Sequence, residues 1–236
     1  MSQEGKTKIL TPLPNGTLHV LFKSDATAFN GVKKEWIEGK GKLNARISAL
    51  LFQYLEAHQI ATCFLGETEH PAVLHYQALQ MLPIEVIMRN QAYGSFCKRF
   101  PFVEAGTPFT PPLVEFCLKN DALGDPPLPD DALVSLGFLP APYTVQNLKT
   151  LALQVNTVLQ SLFSSCGIVC ADFKLEFGLD ADGLLRVADE LSPDNFRLRD
   201  TNTQAILDKD VFRLNCGDLK SVYTEVLSRL EAVKEF

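Results

Sequence analysis

The sequence predicts an α+β fold. Strand-like segments gather in two clusters, one before residue 90 and one after residue 170. Helical patterns lie between and after them, and the later cluster contains a hairpin signal. In the first cluster Lys8-Ile9-Leu10 precedes the turn residues Pro14-Asn15-Gly16, and residues 17–23 read as the next strand. The stretch 24–42 is polar and punctuated by Gly31, Gly39 and Gly41, which makes it a candidate loop to close over a ligand. Asn44 is placed to cap a helix running to about His58, because Ile47, Leu50, Leu51, Tyr54 and Leu55 share one stripe. Residues 72–76 and 84–89 read as further strands. Residues 108–142 are proline-rich and are expected to form a long loop, interrupted by an apolar stretch at 113–118; loops of that length are often functional. A long helix is expected over 144–166, with Leu148, Leu151, Val155, Val158, Leu159 and Leu162 on its apolar face and Gly167 at its stop. A short helix near 203–207 and a final one over 218–234 complete the expected elements.

The chain has 236 residues, 46% hydrophobic and 21% charged, enough for a sizeable core. A net charge of −6 argues against non-specific nucleic-acid or membrane binding and leaves room for a local basic pocket. No apolar run approaches the ~20 residues that span a bilayer. The segment Met1-Ser2-Gln3-Glu4-Gly5-Lys6 lacks a signal-peptide apolar region, so a cytoplasmic location is expected. Six cysteines form no Cys-x-x-Cys and do not cluster with the four histidines. Reduced thiols are therefore expected in place of a zinc site or disulfide framework.

The segment Ala171-Asp172-Phe173-Lys174-Leu175-Glu176-Phe177-Gly178 alternates strictly. Asp172, Lys174 and Glu176 fall on one face and the apolar residues on the other, the period of a half-buried strand. Asp182-Gly183 suits a tight two-residue turn, which would set Glu176 opposite Asp189 on the returning strand. Facing like charges destabilise a sheet, and a cation between them would convert repulsion into a site. Hard oxygen ligands beside a lysine suit magnesium and a phosphate.

Two more segments carry chemistry. Residues 82–95 read as a buried strand ending in Arg89, followed by the turn Gly94-Ser95; an arginine and a hydroxyl near exposed backbone N–H groups can hold a phosphate. Gly5-Lys6-Thr7-Lys8 precedes a strand and could fold over nucleotide phosphates, although it is not a Walker A pattern.

Together these segments resemble the phosphoribosylaminoimidazole-succinocarboxamide synthase (SAICAR synthetase) family. Residues 83–95 are similar to one signature of that family, residues 171–178 to another, and Gly5-Lys6-Thr7-Lys8 to its nucleotide loop. Lys40-Gly41 with Asn44, Lys119-Asn120-Asp121 with Asp125-Pro126, and Ser192-Pro193-Asp194 with Arg197 also fit, so the resemblance covers nearly the whole chain. It implies antiparallel sheets in two lobes with packed helices, related to kinase and ATP-grasp folds, with a nucleotide cleft between a β-rich lobe (1–80) and an α+β lobe (81–236). It implies an ADP-forming ligase of de novo purine biosynthesis. That enzyme would condense L-aspartate with 5-amino-1-(5-phospho-ribosyl)imidazole-4-carboxylate (carboxyaminoimidazole ribonucleotide), using ATP and Mg2+, as a cytoplasmic homodimer.

The roles carried over are specific. Lys6, Lys8 and Lys174 would meet ATP phosphates, and the strand around Gln80 to Glu85, with Gln80, Leu82 and Glu85, would border the adenine, partly through backbone groups. Glu176 and Asp189 would hold magnesium. Arg89, Ser95 and Arg197 would bind the ribonucleotide phosphate. Asp194, Lys209 and Arg213 would line the substrate side, with Lys174, Asp194 and Lys209 as catalytic candidates. Lys119, Asp121 and Asp125 are assigned to the aspartate region, and Asp172 to anchoring the strand or a neighbouring lysine. The chain departs from the family pattern at Asn30, commonly aspartate, at Asn195-Phe196, commonly small, and at Arg199, often tryptophan. The alternative is a small-molecule kinase of the inositol-phosphate type, whose fold is similar and which uses a related Asp-x-Lys element.

Overall fold

The computed structural model describes residues 2–28 and 31–233, so Asn30 lies outside the described residues. In chain order the elements are β1 (Gln3–Glu4), β2 (Lys8–Pro12), β3 (Thr17–Phe22), β4 (Asp25–Ala28), β5 (Lys33–Trp36), α1 (Lys40–Ala57), β6 (Phe64–Glu67) and β7 (Val73–Gln77). They continue with β8 (Gln80–Met81), β9 (Ile84–Gln91), α2 (Ser95–Arg99), β10 (Pro108–Leu118), β11 (Pro127–Leu128), α3 (Asp130–Ser135) and α4 (Val145–Ser165). The last are β12 (Ile168–Leu179), β13 (Leu185–Ala188), β14 (Phe196–Asp200), α5 (Asp210–Leu214) and α6 (Leu219–Ala232).

The strands make one antiparallel sheet in the order β1-β2-β3-β7-β6 and a second in the order β11-β10-β9-β12-β13, with β8 and β14 also paired to β12. The stretch after Ser24, read as a polar loop, instead contains the two-stranded hairpin β4–β5. The larger of two apolar clusters joins the first sheet, α1, α4 and the second sheet through residues such as Phe52, Leu55, Tyr76, Val86, Leu159 and Phe177, and a smaller one gathers Ala26, Ala28, Val211, Phe212, Leu219 and Tyr223. Helix α1 begins six residues after the polar run at Lys33–Lys34 and starts at Lys40 behind Gly39, so Asn44 is inside the helix and not its cap. Helix α4 begins as its sequence predicts, with Thr144 and Asn147 forming a reciprocal capping box.

Two other expectations change. The first part of the proline-rich region is not loop: Pro108–Leu118 is a strand paired with β9, and its prolines fall where the register slips between Pro108 and Leu113. Proline lacks the N–H that a regular ladder needs, and a register slip removes that demand. The short helix expected near 203–207 forms at Asp210–Leu214. Residues 200–204 are held as a turn by Asp200, whose carboxylate accepts from the backbone N–H groups of Asn202 and Thr203.

The acidic hairpin closes differently from its expected register. Asp180 N–H donates to Leu184 O and Gly183 N–H to Asp180 O, enclosing the three residues 181–183 with Gly183 at φ +76°. The Asp180 carboxylate fixes this wider loop by accepting from Asp182 N at 3.0 Å, Leu184 N at 2.8 Å and Arg186 Nε at 2.6 Å. The register moves by one, and Glu176 faces Ala188 in place of Asp189. A one-residue shift turns a side chain to the opposite face of a sheet. Asp189 escapes that consequence because it lies just past β13 with φ +67°. The left-handed backbone re-aims its carboxylate, and it lines the same cavity as Glu176.

Candidate active site

Strand β12 is the floor of the site. Its polar face was expected to be half exposed, but Asp172 and Glu176 are buried, at 3% and 1% exposure. Charge burial of this kind requires partners, and each carboxylate has two. Glu176 accepts from Lys174 at 2.9 Å on one oxygen and from Lys119 on the other. Lys174 also donates to Glu85 at 2.8 Å. Asp172 accepts from Arg89 at 3.2 Å and from Arg197 at 2.9 and 3.1 Å, so it anchors two arginines and no lysine.

A cavity of about 630 Å³ opens over this floor. One wall is the Gly5–Lys8 loop, another the Lys119–Asp125 segment, and a third Asp189, Glu190, Asp194, Lys209 and Arg213. Lys8 ion-pairs with Asp189 and lies 3.0 Å from Glu190. Lys6 reaches Asp121 at 2.7 Å across the mouth. An apolar slot of about 390 Å³ adjoins this cavity, lined by Leu10, Leu18, Val20, Tyr76, Leu79 and Met81 and sharing Lys8, Lys119, Glu176 and Asp189 with it. On the other side, sharing Glu85, Lys174, Asp194 and Arg213, lies a second space of about 390 Å³ walled by Arg89, Ser95, Asp172 and Arg197. Arg89 donates to the Ser95 hydroxyl at 2.9 Å. Gly94, at φ +56°, lets Arg197 lie against the turn: a Cβ there would stand 2.4 Å from an Arg197 nitrogen.

The electrostatics follow from burial and pairing. Burial opposes the Lys174 charge, but Glu176, Asp189 and Glu85 outweigh it and hold the amine well above the usual lysine range. Burial alone would raise Asp189, yet Lys8, Lys174 and Lys119 hold its carboxyl well below the usual range. Burial lowers Lys209, assisted by the like charges of Lys40 and Arg213. Burial would also raise Asp194, but Lys40 and Lys209 hold it low. Asp194 accepts from Lys40 at 2.5 Å, Asn44 at 3.1 Å and Tyr223 at 2.5 Å, with Lys209 at 3.7 Å. Lys40, Asn44 and Tyr223 are supports that the sequence reading did not single out for this role. Asn44 Oδ1 is buried without a hydrogen-bond partner among the described residues.

Among the described residues no three His, Cys, Asp or Glu side chains converge as a metal cage. Glu176 and Asp189 instead supply two hard carboxylates beside open space. That donor set suits magnesium, which binds through one or two carboxylates and takes its other oxygens from water and phosphate.

The profile of the family described as SAICAR synthetase matches residues 1–230. The phosphoribosylaminoimidazole-succinocarboxamide synthase of Thermococcus kodakarensis is 45% identical over 96% of this chain and 95% of its own. A SAICAR synthetase solved in complex with ADP superposes with a TM-score of 0.94 at 40% identity, covering 100% of both chains. The enzyme of that name from Ehrlichia chaffeensis gives 0.92 at 40% identity and 99% coverage of each.

The chain belongs to the SAICAR synthetase family.

Within this SAICAR synthetase fold the structure brings most of the expected residues to one continuous site. Lys6, Lys8, Glu85, Lys174, Glu176, Asp189, Asp194, Lys209 and Arg213 share the central cavity, and Arg89, Ser95 and Arg197 the adjoining space. Gln80 is exposed and Leu82 is buried in the core at 4%, while their neighbours Leu79 and Met81 line the apolar slot. Strand alternation explains the offset: Gly178 pairs with Met81, whose sulfur, with Leu79, crowds the space a Cβ would need. Lys119, assigned to the aspartate region, reaches Glu176. Phe196 is buried against Phe173 and Phe163, and Asn195 donates to Glu190 O at 3.1 Å. No helix among the described residues is long and apolar enough to cross a membrane.

Proposed function

We propose that this chain is an ADP-forming carbon–nitrogen ligase that joins L-aspartate to carboxyaminoimidazole ribonucleotide, using ATP and magnesium, in de novo purine biosynthesis. The observation that supports this most is the run of three connected spaces along β12: an apolar slot sized for a base, a lysine–carboxylate chamber, and an arginine–serine wall. A base, its phosphates and a phosphorylated ribonucleotide would occupy them in that order. Family membership disfavours the kinase alternative.

The residues suit the chemistry. A free carboxylate is a poor electrophile, and phosphoryl transfer makes it reactive toward the aspartate amine; the amide forms as phosphate departs. Such transfer needs positioning and charge neutralisation more than a protein nucleophile. Lys8, Lys119 and Lys174 sit where three lysines can neutralise the transferring phosphoryl oxygens. Glu176 and Asp189 would hold magnesium, which when bound supplies charge neutralisation on those same oxygens. Arg89, Ser95 and Arg197 would fix the ribonucleotide phosphate by forked, charge-assisted hydrogen bonds. Lys209, whose amine burial pushes toward neutrality, is placed beside Asp194 to bind a substrate carboxylate or relay a proton. We read residues 1–80 and 81–236 as the two lobes flanking the nucleotide. The same reading makes the protein a cytoplasmic homodimer, which sedimentation would show as twice the chain mass.

The test is turnover. The purified protein is incubated with ATP, magnesium, the ribonucleotide and aspartate. ADP release that requires both co-substrates, with the succinocarboxamide as product, is expected; release unchanged by omitting aspartate overturns the ligase reading.

A further inference from the structure

Arg199 lines none of the three spaces, yet it stands behind the arginine wall. It lies on β14 two residues beyond Arg197, so both side chains leave the same face of the strand. Opposite them is the start of α5. There Arg197 Nε donates to Asp210 at 3.1 Å and Arg213 to the other Asp210 oxygen at 2.6 Å. Arg199 donates to Asp208 at 2.5 Å and to Leu198 O at 2.7 Å, and its second nitrogen stands 3.8 Å from Asp210. Its guanidinium carbon is 5.0 Å from the centre of the Tyr93 ring, within cation–π range. Tyr93 opens the turn that carries Gly94 against Arg197 and Ser95 against Arg89.

Arg199 therefore ties both halves of the wall together, α5 through Asp208 and Asp210, and the turn through Tyr93. It also neutralises Asp208 behind the wall, so that Arg89, Arg99, Arg197 and Arg213, facing only Glu115, Asp172 and Asp210, keep the positive sign an anion needs.

We propose that Arg199 is a positioning residue of the anion wall: it touches no substrate, and it holds Arg197, Arg213 and Ser95 in register for a phosphate monoester. This rests on the ribonucleotide reading given above. Burial, then Asp210, pushes the Asp208 carboxyl up to about 6 against the pull of Arg199. The other groups facing it are Arg197, Cys170 and Tyr223. Loss of Arg199 raises Asp208 further and, where it ionises, leaves a buried carboxylate with no cation on it, held only by the N–H groups of Leu198 and Asp210.

Steady-state kinetics on R199M, R199K and R199M/D208N, each substrate varied in turn, separates positioning from mere charge burial. In R199M the KM for the ribonucleotide rises about tenfold, the size of a typical coupling between contacting residues, while kcat and the KM for ATP stay near wild type. The R199M defect grows with pH as Asp208 ionises. R199K recovers only part of the loss, because an ammonium cannot replace the guanidinium fork and its stacking. The double variant, which carries no carboxylate at 208, keeps the raised KM without the pH dependence. A double variant with wild-type KM overturns the proposal, as does a parallel rise in the KM of every substrate. If the wild type turns over no ribonucleotide, the ligase reading fails separately, and ribose 5-phosphate binding by calorimetry decides: about tenfold weaker binding to R199M supports positioning. Equal binding, or none to the wild type, overturns it.

Discussion

Glu176 satisfies two lysines with one buried carboxylate, and that double duty makes it sensitive to the smallest change. In Glu176→Gln the remaining carbonyl oxygen accepts from one lysine, while the amide nitrogen turns a donor toward the other. A metal ligand is lost at the same time. We expect kcat/KM to fall about 100-fold or more, the range seen when one preorganised charge partner is removed, and the dependence on magnesium to weaken. Activity assays across a magnesium titration check this; full activity with an unchanged magnesium profile would show that Glu176 is no ligand. The residue was legible because its strand alternates and ends at a turn. Its partners were not. Lys119 lies 57 residues away, and nothing local links it to Glu176; only the pairing of β10 with β9 and of β9 with β12 brings it there. The facing of Glu176 and Asp189 was inferred from a two-residue turn, and the two share a cavity for another reason, the left-handed backbone at Asp189.

At the scale of elements, Asp194 is a junction. Lys40 and Asn44 come from α1, Tyr223 from α6 and Lys209 from the edge of α5, and all face one carboxylate. Lys40 is 0% exposed, so Asp194→Asn strands a buried ammonium and is expected to cost about 3–5 kcal/mol. The pH dependence has a definite sign. The folded carboxyl titrates below its ordinary 3.8, so its stabilisation is complete above that value and is lost as pH falls through the lower folded value. Urea unfolding should give a stability gap between wild type and Asp194→Asn that is constant from neutrality to about pH 5 and narrows below it. A gap independent of pH in the acid range would show that the Asp194 charge is not what binds these helices together. The sequence marked Asn44 as a cap because it precedes an apolar stripe. The helix starts earlier because Gly39, at φ +83°, turns the chain into it, and a Cβ on Gly41 would meet Phe22 O at 2.2 Å. Helix periodicity fixes a face well and an end poorly, since the deciding contact is often tertiary. The same limit hid β10, whose prolines mask an otherwise strand-like run until β9 supplies its partner.

Across the whole molecule, the site is assembled from segments that have little local reason to meet. The Gly5–Lys8 loop belongs to the first sheet, Lys174 and Glu176 to the second, and Asp189 and Glu190 follow its last hairpin. Lys8, 9% exposed, is the link, with burial opposing its charge and Asp189 and Glu190 holding it well above the usual lysine range. The Lys6–Asp121 pair across the mouth is largely exposed, at 44% and 65% of its side chains, and such pairs contribute little. A ligand that engages both sheets should therefore stabilise the molecule as a unit. At about 100 times its dissociation constant magnesium–ATP adds about 2.7 kcal/mol by mass action, and at this chain length that raises Tm by about 5–10 °C. Lys8→Met lowers the starting Tm by removing the cation that pairs with Asp189 and Glu190, but the informative quantity is the increment. If Lys8 joins the phosphates to both sheets, the increment falls to less than half at the same nucleotide concentration, as read by calorimetry with and without magnesium. An increment equal to that of wild type would place the phosphates elsewhere and leave Lys8 as a purely structural tie between the loop and the hairpin.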